Sequence, residues 1–326
     1  MLIRGEQGST GDIVARSSTL NIRATVLEWP TLAIMVASYG LWAISTTWAY
    51  EASALLGVIL TGIAIAQFSS LQHEALHGHP FRSSLANEIA VFPSLSLTVP
   101  YRRFKTTHLA HHYDPILTDP YDDPESCYCD PKMWATFTPG LKRILRVNNT
   151  LMGRVLIGPL LGNLIWLRDE ARLFAQNAPG VRLAWVLHGV GLIPVVLWLQ
   201  GAAMPWWAYL LAAYVGHALL KIRTFLEHQA HELVRARSVI IEDRGPLALL
   251  FLNNNLHAVH HAHPAVPWYR LPALYRARKG EFQRRNAGYV YRSYAEIFAR
   301  YLLRSKEPVA HPLMQPKAPA QDRPAA

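Results

Sequence analysis

Residues 31–50 (TLAIMVASYGLWAISTTWAY) carry no Asp, Glu, Lys or Arg, and after the single Glu51 neither do residues 52–72. Each run has the roughly 20 residues that take a helix across a bilayer. A later charge-free stretch of 38 residues, 183–220, is interrupted by Gly201-Ala202-Ala203-Met204-Pro205, a turn-like composition that divides it into two further spans. The pattern predicts an all-α, multi-pass membrane protein with about four transmembrane helices in two hairpins. Trp29, Trp42, Trp48, Trp198, Trp206 and Trp207 fall mostly near the ends of these runs, where an amphipathic ring suits the headgroup level. The competing reading is a set of core helices in a soluble protein.

Short connectors return each hairpin to its starting side, so every long segment lies on one face. Those long segments hold the Lys and Arg residues and the two opposite turns hold none, which makes the long face cytoplasmic by the positive-inside rule. The first 30 residues are polar and mixed in charge, without a cleavable leader, and are expected to be a cytoplasmic N-terminal segment. Residues 31–307 form the expected membrane domain, and the Pro/Ala-rich residues 308–326 a disordered tail. Two shorter apolar stretches, 85–100 and 151–167, are expected to lie along the interface or re-enter it. The second carries Arg154, Gly158 and Pro159, and a full span there would split the polar clusters described next across the membrane.

Composition agrees with this placement: 51% of the chain is apolar and only 17% charged, against about a quarter in ordinary soluble domains. The two cysteines, Cys127 and Cys129, cannot staple a fold of this size and read as free thiols in a reducing compartment. The net charge of +10 is juxtamembrane, which disfavours nucleic acid as its partner.

The unusual count is 15 histidines, eight of them in three blocks on the deduced cytoplasmic face. They are His73 and His77 in QHEALHGHP, His108, His111 and His112 in HLAHHYDP, and His257, His260 and His261 in HAVHHAHP. His73 and His77 share one helix face and can hold one metal between them, and each H-x-x-H-H block can offer imidazoles to two nearby ions. Eight imidazoles overfill a single zinc site, so two ions are needed, but imidazole suits zinc, copper, iron and nickel alike. His73-Glu74-Ala75-Leu76-His77 also reads as H-E-x-x-H, the signature of a zinc protease with Glu as general base, which leaves six clustered histidines without a task. A membrane metal-binding protein or transporter is the non-enzymatic alternative. Asp114, Asp119, Asp122, Asp123, Glu227 and Asn253 to Asn255 stand near enough to accept the second N–H of a ligating imidazole, or serve as turn residues.

With these three blocks placed, the chain resembles the membrane fatty acid desaturase superfamily, whose pattern is H-x(3,4)-H, H-x(2,3)-H-H and a late [H/Q]-x(2,3)-H-H. The likeness spans roughly residues 30–305 and includes the four-span layout with a cytoplasmic helical cap bearing the histidine boxes. It implies a non-haem di-iron enzyme that uses O2 to attack an unactivated C–H bond of a lipid in the cell membrane, both termini being cytoplasmic. Carried over, the catalytic metal ligands are His73, His77, His108, His111, His112, His257, His260 and His261. A ninth is drawn from His228, His231 and His217, with His228 favoured. An acyl-lipid desaturase is the first reading. A lipid hydroxylase or a carotenoid ketolase is the alternative, since HEALHG and HHAHPAVPWYRLP resemble ketolase blocks. No flavin or nicotinamide fingerprint is present, so electrons are expected from an external ferredoxin-like carrier; Arg270, Arg276, Arg278, Lys279, Arg284 and Arg285 offer it positive charge, although attraction to anionic lipid headgroups is the favoured reading of that cluster.

Overall fold

The computed structural model describes residues 27–314, so nearly all of the expected N-terminal segment and the end of the expected tail lie outside the described residues. The described chain is mostly helical, with two strands of two residues each. The first apolar run forms α1 (Trp29–Thr46), breaks at Thr47 and continues as the short α2 (Trp48–Ala52). The chain then turns at Ser53, whose hydroxyl accepts from Leu56 N and caps α3 (Ala54–Leu76). The later charge-free stretch forms α10 (Val181–Gly201) and α11 (Trp206–Thr224), separated at 202–205 where the composition predicts a turn.

Among the described residues, three helical stretches are long and apolar enough to cross a membrane: Trp29–Ala52, Ala54–Leu76 and Val181–Gly201. The expected fourth, α11, has comparable length but falls outside that set. Its second half carries His217, Lys221 and Arg223, and ionisable side chains dilute the apolar character that defines a span. Even so, α11 is the principal packing partner of α3. Small residues allow this close approach: a Cβ on Gly216 would stand 2.8 Å from Ile65 Cγ2, so glycine is required where the helices touch. Polar side chains within the layer bond to each other, Trp42 Nε1 donating to Tyr209 Oη at 3.0 Å and Ser45 pairing with Thr61 at 2.7 Å.

The segment expected to lie flat between the first two histidine blocks does so only in part. Helix α4 (Ser84–Ala90) exposes Leu85 and Ile89, but residues 91–97 turn inward, where Val91 and Leu95 are buried. They are held by Ser94 N donating to the Gly191 carbonyl (3.1 Å) and by Tyr209 Oη donating to the Leu95 carbonyl (2.8 Å). Gly191 on α10 is what admits them, since a Cβ there would lie 2.6 Å from the Phe92 carbonyl oxygen. Residues 151–167 are two helices rather than one: α8 (Leu151–Leu156) ends at Ile157, and Gly158 and Pro159 start α9 (Gly158–Ala175).

The remaining helices build a cap. Helix α5 (Tyr101–His111) follows the inward segment, and α6 (Pro131–Thr136) and α7 (Pro139–Asn148) precede α8. After α11 come a two-residue strand β1 (Ile240–Ile241), α12 (Pro246–Leu250), α13 (His257–Ala262), α14 (Leu271–Ala277), α15 (Lys279–Arg285), β2 (Val290–Tyr291) and α16 (Tyr294–Tyr301). The strands pair in parallel, Ile240 with Val290 and Ile241 with Tyr291, and brace α13 through the Ala258 N–H donating to Val239 O (2.9 Å). The basic cap surface is partly neutralised, Lys279 meeting Glu242 at 2.6 Å and Arg278 pairing with Glu281. Residues 308–314 belong to the expected disordered tail, but Cys129 N donates to Val309 O and His311 N to Cys129 O, both at 2.9 Å.

Candidate metal centre

Four structural positions converge beneath the cap. His73 is in the last turn of α3 and His77 ends that helix. His108 and His111 end α5, with His112 as the next residue. Helix α13 consists largely of the third block, His257, His260 and His261. His228 follows α11 and is placed by a backbone bridge to Ser238.

These nine histidines sort into two groups that could each hold a metal ion: His73, His77, His108, His112 and His260 in one, and His111, His228, His257 and His261 in the other. Within each group the candidate ligand nitrogens lie within 4.8 Å of one another. Helical periodicity explains the sorting. Positions i and i+4 lie about 40° apart around a helix and stay together, as His108 with His112 and His257 with His261. Position i+3 falls about 60° to the other side, so His111 and His260 cross to the opposite group.

Several nitrogens approach as ligands of one ion do. His112 Nε2 lies 3.0 Å from His108 Nε2 and 3.1 Å from His260 Nε2, while His228 Nε2 lies 2.9 Å from His111 Nε2 and 3.0 Å from His257 Nε2. Two nitrogens bound to one ion at about 2.1 Å and subtending a right angle are about 3.0 Å apart. A hydrogen-bonded chain could not satisfy these triangles fully, because a neutral imidazole has one N–H. His73 Nε2 and His77 Nε2 are buried without any hydrogen-bond partner. A divalent cation would satisfy such buried lone pairs, so the residues present fit a metal pair.

The outer nitrogens are held by acceptors. His111 Nδ1 meets Asp123 Oδ1 at 2.7 Å, His108 Nδ1 meets Glu125 Oε1 at 2.8 Å, His257 Nδ1 meets Asn254 Oδ1 at 3.1 Å and His228 Nδ1 meets Ser238 Oγ at 3.2 Å. This arrangement places the proton on Nδ1 and turns the Nε2 lone pair inward. Of the expected acceptors, Asp123 and Asn254 bond to an imidazole and Glu227 stands 3.8 Å from His257 Nδ1. Asp119 caps its own turn, accepting from Tyr121 N and Asp122 N, and Asn253 and Asn255 donate to backbone carbonyls. Asp122 is exposed, and the side chain of Asp114 lies outside the described residues. Sequence reasoning missed Glu125 and Ser238. Glu125 carries a faint signal, standing two residues beyond Asp123 in a turn whose N–H groups Asp123 gathers, whereas Ser238 is recognisable only from its pairing with His228.

Electrostatics favours neutral imidazoles. Burial, reinforced by neighbouring imidazoles, holds His228, His257 and His260 well below the ordinary histidine range and lowers His112 as well. His111 is the exception: burial works against its charged form, but the Glu125 and Asp123 carboxylates outweigh it and raise the group to about 9. Glu125, which burial alone would raise, is lowered by His108 and His111.

The other six histidines have partners elsewhere. His217 bonds to Asn163 and Thr98, and His231 Nδ1 accepts from Leu233 N. His79 bonds to Glu28, His188 to Ser94, His263 to Arg278 and His311 to Thr118. The structure therefore brings His228, and neither His217 nor His231, to the two groups.

The family model for fatty acid desaturases matches residues 46–293, more than half of the chain and all nine clustered histidines. The chain belongs to the fatty acid desaturase family. Membership makes it an oxidoreductase of the desaturase and hydroxylase superfamily, associated with membranes and acting on lipid. No curated protein matches the chain.

Proposed function

We propose that this desaturase-family chain is an O2-dependent di-iron acyl-lipid desaturase whose metals are held by His73, His77, His108, His112 and His260 on one side and His111, His228, His257 and His261 on the other. The observation that carries this reading is the division of nine imidazoles into two adjoining groups of five and four. Two irons bound there would supply reductive activation of O2 and the removal of two hydrogens from neighbouring methylenes. Conversion of –CH2–CH2– to –CH=CH– with reduction of O2 to two waters consumes two electrons and two protons beyond those of the substrate. The electrons come from an external ferredoxin-like carrier at the basic cap surface. The chain's own part is to hold His112, His228, His257 and His260 neutral, aim Nε2 inward through Asp123, Glu125, Asn254 and Ser238, and exclude bulk water by burying the groups under α13. In this reading α11 completes four spans in two hairpins, with the cap and both termini on the cytoplasmic side of the cell membrane.

A zinc protease through His73-Glu74-Ala75-Leu76-His77 is disfavoured. Glu74 is buried with Oε2 accepting from Trp268 N at 3.1 Å and Oε1 3.7 Å from His73 Nδ1, the ring nitrogen opposite the Nε2 beside which a base would need to stand. A hydroxylase or ketolase would use the same ligands and differ in how the substrate C–H bonds approach the oxidant.

Mass spectrometry of total lipids from cells making the intact chain, compared with a His111→Ala, His260→Ala control, tests the reading. A lipid lighter by two hydrogens and two irons per purified chain are expected. A lipid that gains oxygen would move the assignment to hydroxylase or ketolase, and one zinc per chain would reject the oxygenase.

A further inference from the structure

Beside the histidine groups, a thiol with an open face is ringed by cations. Cys127 is exposed, and Arg154 Nη1 approaches its Sγ to 3.1 Å. The protein crowded around this sulfur would raise its pKa, yet the charges of Arg154, Lys221 and Lys306 outweigh that effect and lower it. The three cations come from separate parts of the fold: α8, the last turn of α11 and the segment after α16.

Their own partners leave positive charge over. Arg154 is 8% exposed and is anchored by Nε donating to the Asn148 carbonyl at 3.0 Å. Lys306 meets Glu307 at 3.5 Å, and its Nζ donates to the carbonyl of His228. Lys221 has no hydrogen bond or ion pair among the described residues. Its ammonium rests against Gly162 of α9, where a Cβ would stand 3.2 Å from Nζ. Two further carboxylates act on Lys221, and both have other partners: Glu227 pairs with Arg223 at 3.0 Å and Glu125 meets His108 at 2.8 Å. Largely desolvated cations whose nearby carboxylates are shared with other partners are costly, and the exposure of Cys127 gives an anion access to them.

We propose that Arg154, Lys221 and Lys306 form an anion subsite that takes the charged end, carboxylate or phosphate, of an acyl lipid whose chain runs into the histidine site. The proposal rests on the lipid-oxidation reading for the second half of that statement. It selects acyl lipids with an anionic end over neutral hydrocarbons such as polyenes, which would leave the cations uncompensated. Because Lys306 touches the carbonyl of His228, the carbons nearest the anionic end come closest to the imidazoles.

Cys127 is a built-in reporter. An anion lodged among the cations shields the thiol and cancels the charges that favour thiolate, so alkylation slows about tenfold for each unit of pKa regained. The experiment follows N-ethylmaleimide labelling of the full chain in a neutral detergent by mass spectrometry, with Cys129 as internal reference. Sodium palmitate, methyl palmitate and phosphatidylglycerol are added in separate arms. Protection of Cys127 by palmitate or phosphatidylglycerol, with none from methyl palmitate, is expected, and which of the two protects identifies carboxylate or phosphate as the anion. Lys221→Met should abolish the protection and Lys221→Arg keep it, both variants retaining the metal content of the parent chain. Equal protection by methyl palmitate, no protection by any lipid, or full protection in Lys221→Met would overturn the subsite. Protected Cys127 without any oxidised lipid would leave the subsite standing and reject the oxidation reading, while lipid oxidation without protection would reject the subsite alone.

Discussion

Asp123 illustrates how much a single carboxylate can organise. Its side chain is almost fully buried and accepts from His111 Nδ1 at 2.7 Å, from Thr118 N at 2.9 Å and from Glu125 N at 2.9 Å. One residue thereby fixes the turn, the orientation of His111 and the position of Glu125, which in turn holds His108. Replacing Asp123 with Asn keeps an acceptor for the turn but removes the charge that increases the basicity of His111. Such a loss costs roughly 10- to 100-fold in metal affinity. Asp123→Asn should therefore lose metal to a chelator at concentrations that leave the parent chain loaded, with little change in helical content by circular dichroism. Asp123 was legible as a candidate because it lies in a turn beside a histidine block. Glu125 was not, because its approach to His108 depends on how that turn folds back on α5.

Among the helices, contact depends on residues too small to announce themselves. The α3–α11 interface requires Gly216, where an added methyl would meet Ile65. Gly216→Ala should destabilise the protein by about 1–3 kcal/mol through overpacking, seen as a lower unfolding temperature in detergent. Gly40→Ala on α1 has nothing within 4 Å of the new methyl and should leave that temperature unchanged. The apolar runs indicated α1, α3, α10 and α11, but two features escaped them. Residues 91–97 fold inward because Gly191 leaves room, and α11 mixes a packing face with Lys221 and Arg223. Both outcomes arise from packing between helices, and hydropathy along one segment does not contain that information.

At the scale of the whole molecule, the two histidine groups tie the span layer to the cap, since α3 supplies His73 and His77 while α5, α13 and the His228 segment supply the rest. A ligand that binds only the folded arrangement stabilises it, and here the stabilisation falls on the elements that meet at the site. Removing metal with a chelator should raise hydrogen exchange in residues 108–112 and 257–262 while α3 and α11 remain protected along their shared interface. Uniform loosening of the whole chain would contradict this division.

The apolar run lengths, the helical spacing of each histidine block and the lack of disulfide or nucleotide signatures are local properties, so the helical membrane class and eight of nine clustered histidines could be read from the chain alone. The five-and-four division, the placement of His228, already favoured as the ninth, apart from His217 and His231, and the surroundings of Glu125, Ser238 and the Arg154–Lys221–Lys306 cluster required the tertiary structure. Each of those joins residues far apart in sequence, and such distances are set by how helices pack and how the cap folds over them.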